Sequence, residues 1–354
     1  MVYTKMGDSV KAISNKIAAA PKRIFISVLI LLIVLNVIAW NQEWVLDNTY
    51  VGPFQDIQKT IQGFTKILSK GKMFSFTPFR VPLAVVTIID LVLIFYRKKY
   101  ILVKLVSFSP DLASATVSKK GRRIIHKSID LCSAMNNGDI STAVDILDTE
   151  VEGINKKRRN SELGIYGIMH TPLLFRAGYL LGDQNNTDLY HKKRLNGSMF
   201  EEWGKESDRF RFEKREENED VDSQELLVSV AISLPIKDAE LADLQPDNKH
   251  ILKFEAESCD FDVLKNYTDA ENLRNSIMSN MRRVCKKYNI KRVHFAIAAS
   301  SAFTIFLGMA YSRQHDPDCI VYHYEKGLYP WGLDIDAPPK SCFIRNETSR
   351  TIAT

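Results

Sequence analysis

The sequence predicts an α/β protein with two N-terminal transmembrane helices followed by two fused Rossmann-like half-domains. Three observations predict it. Two dense apolar runs lie before residue 100, the rest of the chain alternates helical and strand-like stretches, and one strand–turn–helix–strand pattern occurs twice.

The first apolar run, residues 24–40, reads IFISVLILLIVLNVIAW, carries no charge and has only Ser27 and Asn36 as polar interruptions. It nearly spans a hydrocarbon core of ~30 Å, and Trp40 and Trp44 suit the interface. No small-residue cleavage site follows it, so it is read as an uncleaved anchor. The second run, residues 81–96, reads VPLAVVTIIDLVLIFY and contains Asp90. Lys11, Lys16, Lys22 and Arg23 precede the first run, and Arg97, Lys98, Lys99 and Lys104 follow the second. This flanking charge predicts a multi-pass inner-membrane protein with both termini cytoplasmic and the lipid bilayer as a partner. Asn36 and Asp90 are the polar groups within the spans. The expected division is 1–23 as a basic terminus, 24–40 and 81–96 as spans, 41–80 as an extracytoplasmic loop, and 97–119 as a juxtamembrane linker. A soluble α/β domain then occupies 120–345, with halves at about 120–222 and 223–345.

Composition narrows the function classes. Hydrophobic residues make up 45% of the 354 and charged residues 25%, so the chain is not disordered as a whole. The net charge of +6 is mild and concentrated beside the apolar runs, which points away from DNA as a partner. Five cysteines without C-x-x-C spacing read as reduced thiols rather than a zinc site or disulfide framework.

Within the soluble part, residues 121–135 and 139–157 read as helices separated by Asn137-Gly138. A strand over 161–169 leads to His170-Thr171-Pro172, a helix LLFRAGYLLG, a polar turn, and a short strand ending Leu189-Tyr190-His191. The charged stretch 201–222 reads as a solvated helix or flap. Residues 225–234 form the first strand of the second half, and 269–288 a basic amphipathic helix. The strand 292–298 then leads to Ala299-Ser300-Ser301, the helix SAFTIFLGMAY, and a strand ending Tyr322-His323-Tyr324. Both copies read strand, polar turn, helix ending Leu-Gly, loop, and strand ending Tyr-His. Two βαβ units would place a ligand crevice beyond the strand carboxyl ends, where helix N-termini favour anions.

The stretch VHFAIAASSAFTIFLGMAYSRQHDPDCIVYHYE resembles the signature of SAVED domains: a strand with Ile/Val-His-Leu/Phe, a small-residue turn, a helix ending in Leu-Gly and a strand ending in Tyr with a charged residue. The resemblance covers about residues 120–345 and is strongest in the second half. Many members carry Pro in the turn where this chain has Ala299-Ser300-Ser301, whereas the first copy has Pro172. It implies a pseudo-duplicated domain of two fused CARF-like halves that binds a cyclic di- or trinucleotide in a bacterial CBASS anti-phage system. It further implies the two-transmembrane-helix effector subclass, with ligand-induced homo-oligomerisation, membrane disruption and abortive infection.

The ligand-binding candidates sit at strand ends and helix starts: His170, Thr171, Arg176, Lys237, Ser300, Ser301, Phe303, Tyr324 and Trp331. Tyr324 and Trp331 could stack on bases. Against these stand plainer roles: Thr171 and Ser300 as helix caps, Arg176 paired with Asp183, Trp331 as core. No Walker A, G-x-G-x-x-G, H-E-x-x-H or G-x-S-x-G motif occurs, so no catalytic residue, metal or cofactor is assigned. The alternatives are a membrane-bound cyclic-nucleotide hydrolase using His170 or His191, and a constitutive membrane scaffold for a protein partner.

Overall fold

The computed structural model describes residues 99–109, 111, 122–158, 161–183, 187–192, 200–204, 210–218 and 220–346. They fold around two sheets. The first is built from β1 (Lys99–Val106), β2 (Arg123–Asp130), β3 (Ser161–Ile168), β4 (Thr187–Lys192) and β5 (Phe200–Glu202) in the order β2-β1-β3-β4-β5. Its helices are α1 (Cys132–Asn136), α2 (Ile140–Lys157) and α3 (Thr171–Leu181). The second sheet contains β6 (Phe212–Glu217), β7 (Glu225–Ala231), β8 (His250–Ala256), β9 (Arg292–Ala298), β10 (Asp318–Glu325), β11 (Leu328–Asp334) and β12 (Phe343–Arg345). The strands run β12-β11-β10-β9-β7-β8-β6, with α4 (Tyr267–Tyr288) before β9 and α5 (Ser301–Ala310) after it.

The repeat is real in three dimensions. β1, β3 and β4 pair in parallel, as do β7, β9 and β10. α3 joins β3 to β4 and α5 joins β9 to β10, giving two βαβ units. The halves meet through α3 and α5, and one apolar core runs from Val144 and Leu147 of α2 to Cys319 and Val321 of β10. Three of the five described helices are started by a side-chain cap. Asp139 caps α2 by accepting the Thr142 N–H, Asn266 caps α4 through Asp269, and Ser300 caps α5 through Phe303.

Several expectations need correction. Among the described residues no helix is long and apolar enough to cross a membrane, so the structure does not support the two-transmembrane-helix architecture or the multi-pass inner-membrane placement. The two apolar runs, 24–40 and 81–96, with Asn36 and Asp90, lie outside the described residues. Part of the stretch read as a linker is β1, whose Tyr100, Leu102 and Leu105 are buried and which pairs with β3 over its full length. Residues 123–130, read as helix, are a strand. The spacing of Ile125, Ile129 and Cys132 suits a helix, but Ile125 stays exposed, and the Leu131 N–H donates to Val106 O at 2.9 Å, anchoring the segment beside β1. The charged stretch read as a solvated helix or flap contains β6, an edge strand antiparallel to β8. Charged side chains suit an edge, where they discourage pairing with other chains.

Candidate functional site

The carboxyl ends of β1 and β3 meet those of β10 and the start of β11 in a cluster of four rings. His170, one residue beyond Met169 and just before α3, stacks on Phe108 with centroids 4.0 Å apart. It meets His323 of β10 edge-on at 4.7 Å and Trp331 of β11 at 5.9 Å. His323 and Trp331 lie opposite each other across the β10–β11 ladder, with centroids 5.0 Å apart. The cluster therefore draws Phe108 and His170 from the first half and His323 and Trp331 from the second.

Ser107 fixes the first histidine. Its Oγ accepts the His170 backbone N–H at 2.9 Å and sits 2.7 Å from Nδ1. The hydroxyl keeps one proton and a second lone pair, so its contact with Nδ1 runs in the direction set by the His170 tautomer and fixes the ring's orientation either way. Burial, then the nearby His323, pushes His170 down to about 4 against the opposing pull of Glu325. Burial alone pushes His323 down to about 4. Both rings are thus neutral at pH 7, and they offer stacking faces and polar nitrogens rather than charge. The His323 Nδ1 is buried and has no hydrogen-bond partner among the described residues.

The remaining sequence candidates divide into three groups. Thr171 opens α3 and stays half-exposed beside His170. Ser300 and Ser301 hold the matching place at the start of α5, and the Ser300 Oγ accepts the Phe303 N–H at 3.3 Å. Phe303 itself is fully buried in the core.

Lys237 and Tyr324 form a second group on the other face of the second sheet. Consecutive residues of a strand point to opposite faces. Val321 and His323 face the main core and its helices, whereas Tyr322 belongs to the smaller cluster with Tyr329, and Tyr324 packs on Tyr329. Glu240 ties this group together, accepting the Tyr324 hydroxyl at 3.0 Å and the Lys237 backbone N–H at 2.9 Å.

Arg176 is committed to structure. It is 4% exposed and bonds Asp148 of α2 through Nε at 2.8 Å and Nη2 at 2.7 Å. Its Nη1 donates to the carbonyls of Asp334, Ile335 and Ala337, at 3.3, 3.0 and 3.1 Å. The guanidinium thus latches the first half onto the loop after β11. His294, on the interior of β9, bonds Tyr322 Oη at 2.9 Å through Nδ1.

Sequence reasoning missed Ser107, Phe108 and His323. The first two follow β1, hidden in the supposed linker. His323 was visible as the end of a strand matched to His191, and that match was the available signal. Among the described residues no group of three or more His, Cys, Asp or Glu is placed to hold a metal ion.

Comparison with known proteins bears on this arrangement. No match is found among the curated proteins. Among solved structures, the chain is similar to the Acinetobacter baumannii Cap4 SAVED/CARF-domain containing receptor with the cyclic trinucleotide 2'3'3'-cAAA, at 15% identity and a TM-score of 0.47, over 66% of this chain and 50% of that one. A structure of the same receptor described without a ligand matches at 15% and 0.44, over 81% and 61%. The Moraxella osloensis Cap4 receptor matches at 14% and 0.41, over 66% and 49%. The chain thus spans about half the length of these proteins. The sequence profile of one family, described as the SMODS-associated and fused to various effectors sensor domain, matches residues 147–335, more than half of the chain. Those residues run from within α2 to just past β11 and contain both βαβ units, so the chain belongs to the SAVED family.

Proposed function

We propose that this chain is the sensor of a cyclic oligonucleotide, bound where Phe108, His170, His323 and Trp331 form one aromatic surface between the two halves. That surface is the observation that carries the reading, together with membership of a sensor family. Bases stack on aromatic side chains at about 1–3 kcal/mol each. Rings that are neutral at pH 7 lose little solvation when a base covers them. At the start of α3 only the Thr171 N–H faces a phosphate, since Pro172 has none and the Leu173 N–H donates to His170 O, whereas the start of α5 offers the N–H groups of Ser301 and Ala302. Arg176 and Phe303 take no part in binding, because both are buried in packing.

The cyclic trinucleotide held by the similar Cap4 receptor is the first ligand to test, alongside cyclic dinucleotides. Calorimetric titration of the full chain against this panel checks the proposal. A saturable signal that His323→Ala weakens supports it, and no binding by any cyclic di- or trinucleotide refutes it. The response assigned to binding is self-association of the domain within an anti-phage effector, which rests on the sensor family alone and is read by light scattering with and without ligand. One observation favours a second reading: two imidazoles neutral at pH 7 meet at this surface, as a hydrolase acting on the ligand would need. Appearance of linear product during the titration would establish it.

A further inference from the structure

A cyclic oligonucleotide carries one phosphate for every base, whereas the four rings of the surface carry no charge at pH 7, because burial holds both imidazoles neutral. A cation stands on the next strand. β12 is the edge strand of the second sheet and runs antiparallel to β11. Its register sets Arg345 opposite Trp331, and the β10–β11 register sets Trp331 opposite His323. Residues directly opposite in antiparallel strands share a face, with Cβ atoms about 4.5–5.5 Å apart. His323, Trp331 and Arg345 therefore form one row across three strands.

The neighbours of Arg345 agree with this facing. Ile344 packs with Tyr322 and Tyr329 on the other side of the sheet, which turns Phe343 and Arg345 to the side of the rings. Phe343 lies beside Trp331 with centroids 6.1 Å apart. The strand is pinned just past the arginine. The Asn346 backbone N–H donates to Pro330 O at 2.9 Å, and its Nδ2 donates to Asp243 O at 2.9 Å and Tyr329 O at 3.1 Å. Arg345 itself is exposed and makes no hydrogen bond or ion pair among the described residues. Its backbone is held while its guanidinium is uncommitted, the reverse of Arg176, whose donors go to Asp148 and three carbonyls.

We propose that Arg345 is the phosphate-binding cation of the messenger surface. Its guanidinium bonds a phosphodiester of the ligand through two parallel N–H donors while the adjoining base stacks on Trp331. This assignment rests on the messenger reading above and adds the residue that meets the ligand's charge.

The test titrates the full chain with cyclic triadenylate and with cyclic diadenylate, at low and at high salt, comparing wild type with Arg345→Gln and Arg345→Lys. Arg345→Gln alters an exposed edge side chain, so its thermal transition should match wild type, and at low salt it should bind at least about fivefold more weakly. Arg345→Lys should retain part of that difference, as a point charge without the planar fork. Salt screens exposed charges, so the gap between wild type and Arg345→Gln should narrow at high salt. Equal affinity of wild type and Arg345→Gln, or a gap that salt leaves unchanged, overturns the assignment while the messenger surface stands, and Arg345 is then an edge charge that only discourages strand pairing. If wild type binds neither nucleotide, the messenger reading fails and this assignment fails with it.

Discussion

Gly178 of α3 and Gly308 of α5 each lie against the backbone of the other helix: a Cβ on Gly178 would collide with the Ile305 carbonyl, and one on Gly308 with that of Phe175. The contact is reciprocal, because Phe175 stands three residues before Gly178 and Ile305 three before Gly308. The two halves dock through equivalent positions, and the missing side chains let the helices meet backbone to backbone.

Alanine at either glycine should therefore force the helices apart. Gly178→Ala and Gly308→Ala are each expected to destabilise by about 1–3 kcal/mol through overpacking, despite the better helix propensity of alanine. Chemical denaturation measures this. If either variant matches wild type in stability, the tight crossing is not what holds the halves.

Arg176 gives a second expectation. Removing it leaves the Asp148 carboxylate and three carbonyls of the loop after β11 without their donor. Arg176→Ala should cost about 3 kcal/mol or more, roughly 6–12 °C in the melting temperature. Its folded fraction should bind ligand as wild type does. A variant of native stability and reduced affinity would instead place Arg176 at the ligand.

The histidine cluster makes stability depend on pH. His170 and His323 sit at about 4 in the folded chain, below their ordinary 6.5, so between those values the unfolded chain binds protons that the folded chain refuses. Stability is complete above pH about 6.5 and falls as the pH drops towards 4. His294, buried beside Lys249 and Glu225, titrates in the same window. The readout is thus a difference: melting temperatures of His323→Phe should decline less steeply between pH 6.5 and 4 than those of wild type. Parallel declines would show that His323 is not held neutral by its surroundings.

Much of the fold was legible where local pattern and burial agree. β3, β9 and β10 are buried on both faces and read as short apolar strands, and α2 and α4 carry apolar stripes between polar caps. The errors fell where local signals are ambiguous. β1 follows an apolar run and basic residues, so its own YILVKLV was absorbed into a linker. β6 is an edge strand whose charges mimic a solvated helix. The match of Leu181-Gly182 to Leu307-Gly308 was out of register. Gly182 caps α3 with φ +70°, and the partner of Gly308 is Gly178, which only packing reveals. The candidate site was half legible. His170 and Trp331 were chosen for strand-end position and chemistry, but Lys237 and Tyr324 share those features and occupy the other face of the sheet. Arg176 shows the same limit, since a charge near a strand end looks alike in sequence whether it meets a ligand or a buried aspartate.

The central claim is that ligand binds on the ring surface between the halves, and titration of the full chain and its variants with a cyclic trinucleotide tests it most directly. Phe108→Ala and Trp331→Phe keep the core packed, and His323→Ala removes the ring that joins the two halves. The account expects Phe108→Ala and His323→Ala each to weaken binding by about tenfold or more, at 1–3 kcal/mol per lost stack, and Trp331→Phe by less. Lys237→Ala, on the opposite face of the sheet, should leave affinity unchanged. Wild-type affinity in Phe108→Ala and His323→Ala, with binding lost in Lys237→Ala, would contradict the account.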